Sequence, residues 1–328
     1  MVSVLIPAHN AGATVVTSVR SMLRQTWRRL EIIVIDDGST DQTPELLASL
    51  ANSDRRVQIL RQQNQGIAAA LNAGLMRCSG EYIARMDADD ISLPWRIARQ
   101  VRFMEQNPTV VASGTNVIPF RTRPLRTGVP SRLPTDDMGI RTRLLFNPPI
   151  LHPTAIIRSS VICDGDFYDR TMPQAQDFEL WSRLSREHRL GNISDICLLY
   201  RKAAGAISER LRGEQQARAD AIRVANLIER CGSAFGERHM ASHIEMMARR
   251  FEAPTPAEHM PGYVRDLLDQ PGLSRAVIER TWLSYCIDYS RAGGDGAALL
   301  AASGVRADLV DHSMLLIAKR LPSRRTIS

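Results

Sequence analysis

The stretch Gly80-Glu81-Tyr82-Ile83-Ala84-Arg85-Met86-Asp87-Ala88-Asp89-Asp90-Ile91-Ser92-Leu93-Pro94 decides how the chain is read. Residues 82–86 are a short apolar run that reads as a strand. It stops at three carboxylates, with a proline-started helix over 94–105 just beyond. Side chains alternate along an extended chain, so Asp87 and Asp89 point the same way off the sheet edge and Ala88 turns aside. Two carboxylates so aimed repel each other unless a cation sits between them. Mg²⁺ or Mn²⁺ in nucleotide enzymes is typically held by one or two carboxylates, with phosphate oxygens completing the shell. Asp90 reads instead as part of a solvated acidic turn that caps the following helix.

Toward the N-terminus the alternation repeats. Residues 2–6 read as a buried strand ended by Pro7, with a helix over 14–25. Residues 30–35 read as a second strand, and its helix, over 44–51, follows the natural cappers Ser39, Thr40 and Asp41. A third strand over 57–60 leads through Asn64-Gln65-Gly66 into a helix over 67–76, which Gly80 closes. This spacing predicts an α/β fold with a parallel sheet covered on both faces. Ligands of such sheets bind outside the carboxyl ends of the strands. The chain places Ala8-His9-Asn10, Asp36-Asp37-Gly38-Ser39, Asn64-Gln65-Gly66 and Asp87 to Asp90 there, on one expected crevice.

The acidic pair Asp36-Asp37 would repel phosphates, but a carboxylate accepts hydrogen bonds from the N–H of a base or the hydroxyls of a ribose. The other reading, strongest for Asp36, is a cap or a turn closed with Gly38. No G-x-G-x-x-G follows the first strand and no G-x-x-x-x-G-K-[ST] occurs, which removes the main support for dinucleotide oxidoreductases and P-loop enzymes.

Val2-Ser3-Val4-Leu5-Ile6-Pro7-Ala8-His9-Asn10, then Glu31-Ile32-Ile33-Val34-Ile35-Asp36-Asp37-Gly38-Ser39-Thr40-Asp41, then Asn64-Gln65-Gly66 with Asn72-Ala73-Gly74, then Met86-Asp87-Ala88-Asp89-Asp90 resemble the ordered motifs of family 2 glycosyltransferases. The resemblance covers roughly the first two hundred residues and implies a GT-A-type fold, a Rossmann-like, mostly parallel sheet with helices on both faces. It also implies an inverting transferase that uses a nucleotide-diphosphate sugar, UDP-linked, with Mn²⁺ or Mg²⁺. In that pattern Asp37 lies near the base, Asp87 near the ribose or metal and Asp89 on the metal, with Pro7, Ala8, Asn10, Asp36, Asn64, Gly66 and Asn72 around the nucleotide sugar.

The second half extends the resemblance. Asn147-Pro148-Pro149-Ile150-Leu151-His152-Pro153-Thr154 is similar to the segment that returns to the active site in this family, offering His152 to donor or acceptor; a histidine before proline reads equally as a turn residue. In Gln174-Ala175-Gln176-Asp177-Phe178-Glu179-Leu180-Trp181-Ser182-Arg183-Leu184, Phe178, Trp181 and Leu184 repeat at helical spacing, and an aspartate at such a start is first of all a cap. The segment also resembles the family's E-D-x-x-L-W motif, whose aspartate is the catalytic base. Asp177 is the candidate, because inversion needs a base opposite the departing diphosphate. Gln176 stands where that motif has glutamate. Leu198 to Ser208 resembles the end of the catalytic region, with Arg201 toward the donor and Ala203 in place of a common histidine. Arg121, Arg123, Arg126 and Arg132 mark a proline-rich loop over 121–135, read as solvated or as reaching the substrates.

Composition bounds the rest. At 328 residues and 44% hydrophobic content, the chain buries a large core as one big domain or two ordinary ones. Its formal charge of +7 is almost wholly arginine, since Lys202 and Lys319 are the only lysines; that suits nucleotide diphosphates or acidic lipid surfaces. No nucleic-acid signature accompanies it. The five scattered cysteines argue against a disulfide framework or structural zinc, and no signal-peptide or membrane-spanning run is read, so a cytoplasmic protein is expected, at most at the inner membrane face. Past Gly213, helices are expected over 214–231, 239–251, 263–269, 274–290 and 309–321. The domain plan is therefore a catalytic domain over 1–212 and a helical region over 213–328, which sets acceptor choice or makes a homo-oligomer. Arg320, Arg324 and Arg325 read as a frayed end or a peripheral membrane contact.

The expected partners are a nucleotide-diphosphate sugar and a saccharide or lipid-linked acceptor for surface polysaccharide. Two other readings are a sugar-nucleotidyltransferase, which would want a glycine-rich basic loop after the first strand, and an inactive nucleotide-sugar binder, kept open by Gln176 and Ala203.

Overall fold

The computed structural model describes residues 1–121, 128–162, 167–202, 212–248, 259–292 and 294–305. Two compact units divide the chain: Met1–Asp137 with Pro148–Arg218, and Met138–Asn147 with the chain from Ala219 onward.

The first unit opens as β1 (Val2–Ala8), α1 (Val15–Leu23), β2 (Leu30–Asp37), α2 (Thr43–Ser53), β3 (Val57–Gln62), α3 (Ile67–Leu75) and β4 (Tyr82–Arg85). It continues through β5 (Ile91–Ser92), α4 (Arg96–Gln106), β6 (Val110–Phe120), the start of α5 (Asp137–Arg143), β7 (Ile156–Arg158), α6 (Gln176–Glu187) and β8 (Arg189–Arg201). All eight strands form one sheet, in the order β3-β2-β1-β4-β7-β6-β8-β5. From β3 to β4 every pairing is parallel, as expected, and β6 also runs parallel to β8. β7 is antiparallel to both β4 and β6, and β5 is antiparallel to β8. The result is a mixed α/β sheet of GT-A type.

β1 and β2 are apolar along their whole length because both faces are covered. Val4 and Ile6 share one core with Val15 and Val19 of α1, Leu47 of α2 and Ile97 and Val101 of α4. On the opposite face α3 lies so close that a Cβ on Gly74 would stand 2.3 Å from Leu5 Cδ1 and 2.6 Å from Ile35 Cδ1. Glycine there lets the helix seat on the sheet. One expectation is corrected at the turn after β4. Asp90 is fully buried rather than solvated, and Trp95, with no side-chain cap, occupies the N-cap of α4. The helix begins at Arg96, whose guanidinium reaches down to the carbonyls of Arg85 at 2.6 Å and Ala155 at 3.4 Å.

The second unit contains most of α5 and α7 (Arg212–Cys231), then α8 (Ser233–Ala248), α9 (Met260–Leu268), α10 (Arg275–Arg291) and α11 (Gly296–Ala302). Trp282, Tyr285 and Tyr263 centre its core, with Leu145 and Phe146 from mid-chain. His243 ties these together, since Nε2 donates to the Leu145 carbonyl at 2.7 Å and Nδ1 accepts from Tyr263 Oη at 2.5 Å. Burial holds that imidazole neutral, with its pKa down at about 4. This unit therefore recruits Met138–Asn147 and starts its continuous part at Ala219, where composition alone placed one cut at 212/213. The helix expected over 309–321, the arginine tail, Arg123, Arg126 and Ala203 lie outside the described residues. No helix among the described residues is long and apolar enough to cross a membrane.

Candidate active site

At the carboxyl ends of β1, β2 and β4 the first unit opens a crevice of about 490 Å³. Pro7, Ala8 and Asn10 line it from β1 and the turn that follows, Asp37 from β2, Asn64 and Gly66 from the loop after β3, Asp87 and Asp89 from the loop after β4, and Arg201 from the end of β8. Asp37 is the hub of one wall. Its Oδ1 accepts from Gln62 Nε2 at 2.8 Å and the Gln65 N–H at 3.0 Å, and its Oδ2 from the Gly66 N–H at 2.9 Å. A carboxylate oxygen has two lone pairs, so Oδ2 keeps capacity toward the crevice. The turn after β2 depends on Gly38, whose φ is +74° and whose added Cβ would lie 2.6 Å from the Asn64 nitrogen.

Beside Asp37, His9 Nδ1 donates to the Asp37 carbonyl at 2.8 Å, leaving Nε2 to accept from Asn10 Nδ2 at 3.2 Å and Asn64 Nδ2 at 3.3 Å. Asn10 Oδ1 in turn accepts the Thr40 N–H at 2.9 Å. Asp36 faces elsewhere. Its Oδ1 accepts the Ser39 N–H at 3.0 Å and its Oδ2 lies 3.3 Å from Arg61 Nε, so it closes the turn.

The second wall is acidic. Ligand atoms of Asp87, Asp89 and Asp90 all lie within 4.8 Å of one another. Asp87 pairs through Oδ1 with the buried Arg85. Asp90 Oδ1 accepts the Arg201 N–H at 2.7 Å, and Arg201 Nε donates to the Asp89 carbonyl at 2.8 Å while its guanidinium stacks 4.6 Å from the Phe120 ring. Burial first, then the Asp87 charge, pushes the Asp89 carboxyl up to about 6. The same two causes push Asp90 up, and its Oδ2 is buried without a hydrogen-bond partner. Crowded, incompletely satisfied carboxylate oxygens of this kind fit a hard divalent cation, and Asp87 and Asp89, which line the crevice, are the candidate ligands.

Asp177 stands in the first turn of α6, half-buried, outside the residues that line the crevice. It is not the cap, since Ala175 holds that position; its Oδ1 accepts the Phe178 N–H at 2.8 Å. Burial drives its carboxyl up to about 6, offset in part by that hydrogen bond and by Arg85, while the Asp87 charge raises it. Such a group is ionised near neutrality yet more basic than an ordinary aspartate. The adjoining Gln176 is buried with Oε1 unpartnered.

Asn72 and His152 also lie away from the crevice lining, and both meet Tyr168. Asn72 Nδ2 donates to the Tyr168 carbonyl at 2.8 Å and Oδ1 accepts its N–H at 2.9 Å. His152 Nε2 lies 3.1 Å from Tyr168 Oη, and its ring packs 5.4 Å from Tyr168 and 6.2 Å from Trp181. Burial, with Arg85 nearby, holds His152 neutral. Trp181 is core, as its helical spacing predicts. His9, placed on the crevice with its cluster, orders Asn10 and Asn64 there, while two contributors escaped the sequence analysis, Arg85 and Tyr168. Arg85 alone had a signal, a charge inside an otherwise apolar strand.

Residues 3–165 match the model of the family described as Glycosyl transferase family 2. An uncharacterized glycosyltransferase of Haemophilus influenzae is 34% identical over 236 residues, 69% of this chain and 73% of that protein. The amylovoran biosynthesis glycosyltransferase AmsE of Erwinia amylovora is 31% identical over 214 residues, 64% of this chain and 79% of that protein. Among solved structures, S. aureus TarS in complex with UDP-GlcNAc aligns at a TM-score of 0.58 and 18% identity, covering 92% of this chain and 90% of that one. Mannosyltransferase PcManGT from Pyrobaculum calidifontis, in complex with GDP-Man and Mn²⁺, aligns at 0.53 and 18%, covering 97% and 79%. The two structures share the GT-A-like fold, and the two sequence relatives carry the classification: the chain belongs to glycosyl transferase family 2 and is a glycosyltransferase.

Proposed function

We propose that the protein moves a sugar from a nucleoside-diphosphate sugar, UDP-linked, to a saccharide or lipid-linked acceptor, with inversion at the anomeric carbon, in the synthesis of a surface polysaccharide. The observation that carries this reading is the convergence of Asp37, Asp87 and Asp89 on one crevice at the carboxyl ends of β2 and β4. Asp37 Oδ2 accepts an N–H of the base. Pro7, Ala8, Asn10, Asn64 and Gly66 wall the nucleoside, and Arg201 neutralises phosphate oxygens. Asp36 and Asn72 support that wall from behind, and His152 supports the acceptor side through Tyr168. A divalent cation, Mn²⁺ or Mg²⁺, held by Asp87 and Asp89 would stabilise the negative charge that builds on the departing diphosphate.

Asp177 is the base. It takes the proton of the acceptor hydroxyl as the acceptor oxygen bonds to the anomeric carbon and the bond from that carbon to the phosphate oxygen breaks, releasing the nucleoside diphosphate. Support for the donor class comes from the UDP-GlcNAc and GDP-Man complexes of the two structural neighbours, and for the polysaccharide role from the amylovoran relative. Free thiols at Cys78, Cys197, Cys231 and Cys286 suit the reducing cytoplasm. The test is calorimetry of UDP- and GDP-sugars with and without Mn²⁺, then turnover of the binders with saccharide and lipid-linked acceptors. Metal-dependent binding followed by release of nucleoside diphosphate is expected; no binding of any nucleotide sugar refutes the reading.

A further inference from the structure

Arg85 is the least expected charge in the first unit. It ends β4, next to Ala84 and Met86, and its side chain is 3% exposed. Its ion-pair partner among the described residues is Asp87 Oδ1, while Nε and Nη1 are buried with no hydrogen-bond partner. A second buried guanidinium, Arg96, lies against the Arg85 carbonyl at 2.6 Å. Burying such a pair is poor value for stability alone, since well-packed apolar residues commonly do as well or better. The location of the pair gives it another use. Asp87 is one of the two carboxylates that line the crevice from the loop after β4, and Arg85 occupies one of its oxygens and offsets its charge. Asp90, the third carboxylate, spends Oδ1 on the Arg201 N–H. A free divalent ion would therefore meet Asp87 Oδ2, Asp89 and the one remaining oxygen of Asp90, beside the guanidiniums of Arg85 and Arg201.

We infer that Arg85 acts through Asp87 as a positioning residue that keeps the carboxylate pair too weak to hold a divalent cation alone, so that ion and nucleoside diphosphate are retained only together. This deepens the glycosyl-transfer reading and rests on it. The diphosphate brings the negative charge that Arg85 removes. Coupling of this kind is reciprocal: the nucleotide raises ion affinity by the same factor by which the ion raises nucleotide affinity. Such an arrangement keeps the site from trapping an ion after the product leaves.

The experiment is calorimetry of Mn²⁺ on the full chain, alone and with saturating UDP, for the wild type, Arg85→Met and Arg85→Lys. The wild type should bind free Mn²⁺ weakly and gain strongly with UDP. Arg85→Met removes the charge at similar volume and should tighten free Mn²⁺ binding by about tenfold or more, because one unit charge a few ångströms from an ion is worth at least that much at a protein surface. The UDP enhancement should shrink to match. Arg85→Lys restores the charge and should restore the enhancement, which a merely structural role would not predict. Tight binding of free Mn²⁺ by the wild type overturns the proposal, and so does an unchanged or weaker free-ion affinity in a folded Arg85→Met. Should that variant fail to fold, Arg85→Gln, neutral and still able to donate to Asp87, is measured in its place and read by the same two outcomes. Wild-type protein that binds neither UDP nor any other nucleoside diphosphate with Mn²⁺ refutes the transferase reading itself, whereas UDP binding with an enhancement indifferent to residue 85 refutes only the role of Arg85.

Discussion

Replacing Asp177 by asparagine is expected to make the protein more stable and nearly inactive at once. The carboxyl has an ordinary value of 3.8 in the unfolded chain and about 6 in the fold, raised first by burial. Between those values the folded chain holds a proton that the unfolded chain has released. Stability therefore falls as pH rises from about 4 to about 6, and stays at the lower level above. The difference of roughly two pH units corresponds to about 3 kcal/mol at neutral pH. Asparagine carries no charge and its Oδ1 still accepts the Phe178 N–H, so the variant escapes the penalty and keeps the contact. Unfolding midpoints by scanning calorimetry should rise by ~6 °C near pH 7.5 and coincide with the wild type near pH 4. Transfer should fall by roughly a hundredfold or more. The wild-type rate should decline below about pH 6 as the base protonates, and that acid limb should vanish from the residual activity of the variant. An unchanged midpoint near pH 7.5 would refute the electrostatic reasoning, and transfer at the native rate would refute the base.

Asp89→Ala should abolish the Mn²⁺ dependence of nucleotide-sugar binding, read by calorimetry with and without the ion; unchanged dependence means the ion lies elsewhere. Asp37→Ala frees the N–H groups of Gln65 and Gly66 and the Gln62 amide, and should weaken nucleotide binding while leaving its metal dependence intact. An equal loss for a base-free sugar diphosphate would count against a role at the base. Gly38→Ala and Gly66→Ala form a matched pair, since both need positive φ but only the first meets a neighbour, the Asn64 nitrogen at 2.6 Å. Chemical denaturation should show both destabilised by ~1–3 kcal/mol, with Gly38→Ala the worse; the reverse order would contradict the packing of the turn.

The parallel half of the sheet was legible because its signals are local. Each of its strands is a short apolar run bounded by turn residues, and observed ends differ from the expected ones by two residues or fewer. The other half was not. β6 carries Ser113, Gly114, Thr115 and Asn116 in its middle, polar positions that the sheet tolerates because partners from β7, β8 and Thr154 satisfy them, and no local pattern announces such partners. At the site, the acids were legible from their place at strand ends, while their division of labour was not. Asp36 and Asp37 are adjacent and chemically identical, yet alternation turns one into a turn-closing acceptor and the other toward the crevice. Asn72 is part of a recognisable motif, but its partner is Tyr168, far along the chain. Asp90 was misread because burial by β8 cannot be seen from the residues around it.

The Asn72 amide has a consequence for how this chain can vary. Asn72 and Tyr168 stand 96 residues apart and exchange two backbone-directed hydrogen bonds, the way opposed residues do in an antiparallel ladder. The chain between them, β4 to β7, is therefore a loop tied at its neck, and α3 is held to the segment that leads into α6 by this pair as well as by the pairing of β4 with β7. Surface insertions between the two residues lengthen the loop at small entropic cost and leave the pair itself in place. A change at Asn72 removes both hydrogen bonds at once and loosens Tyr168 from α3. Variation is cheap along the loop and costly at one asparagine.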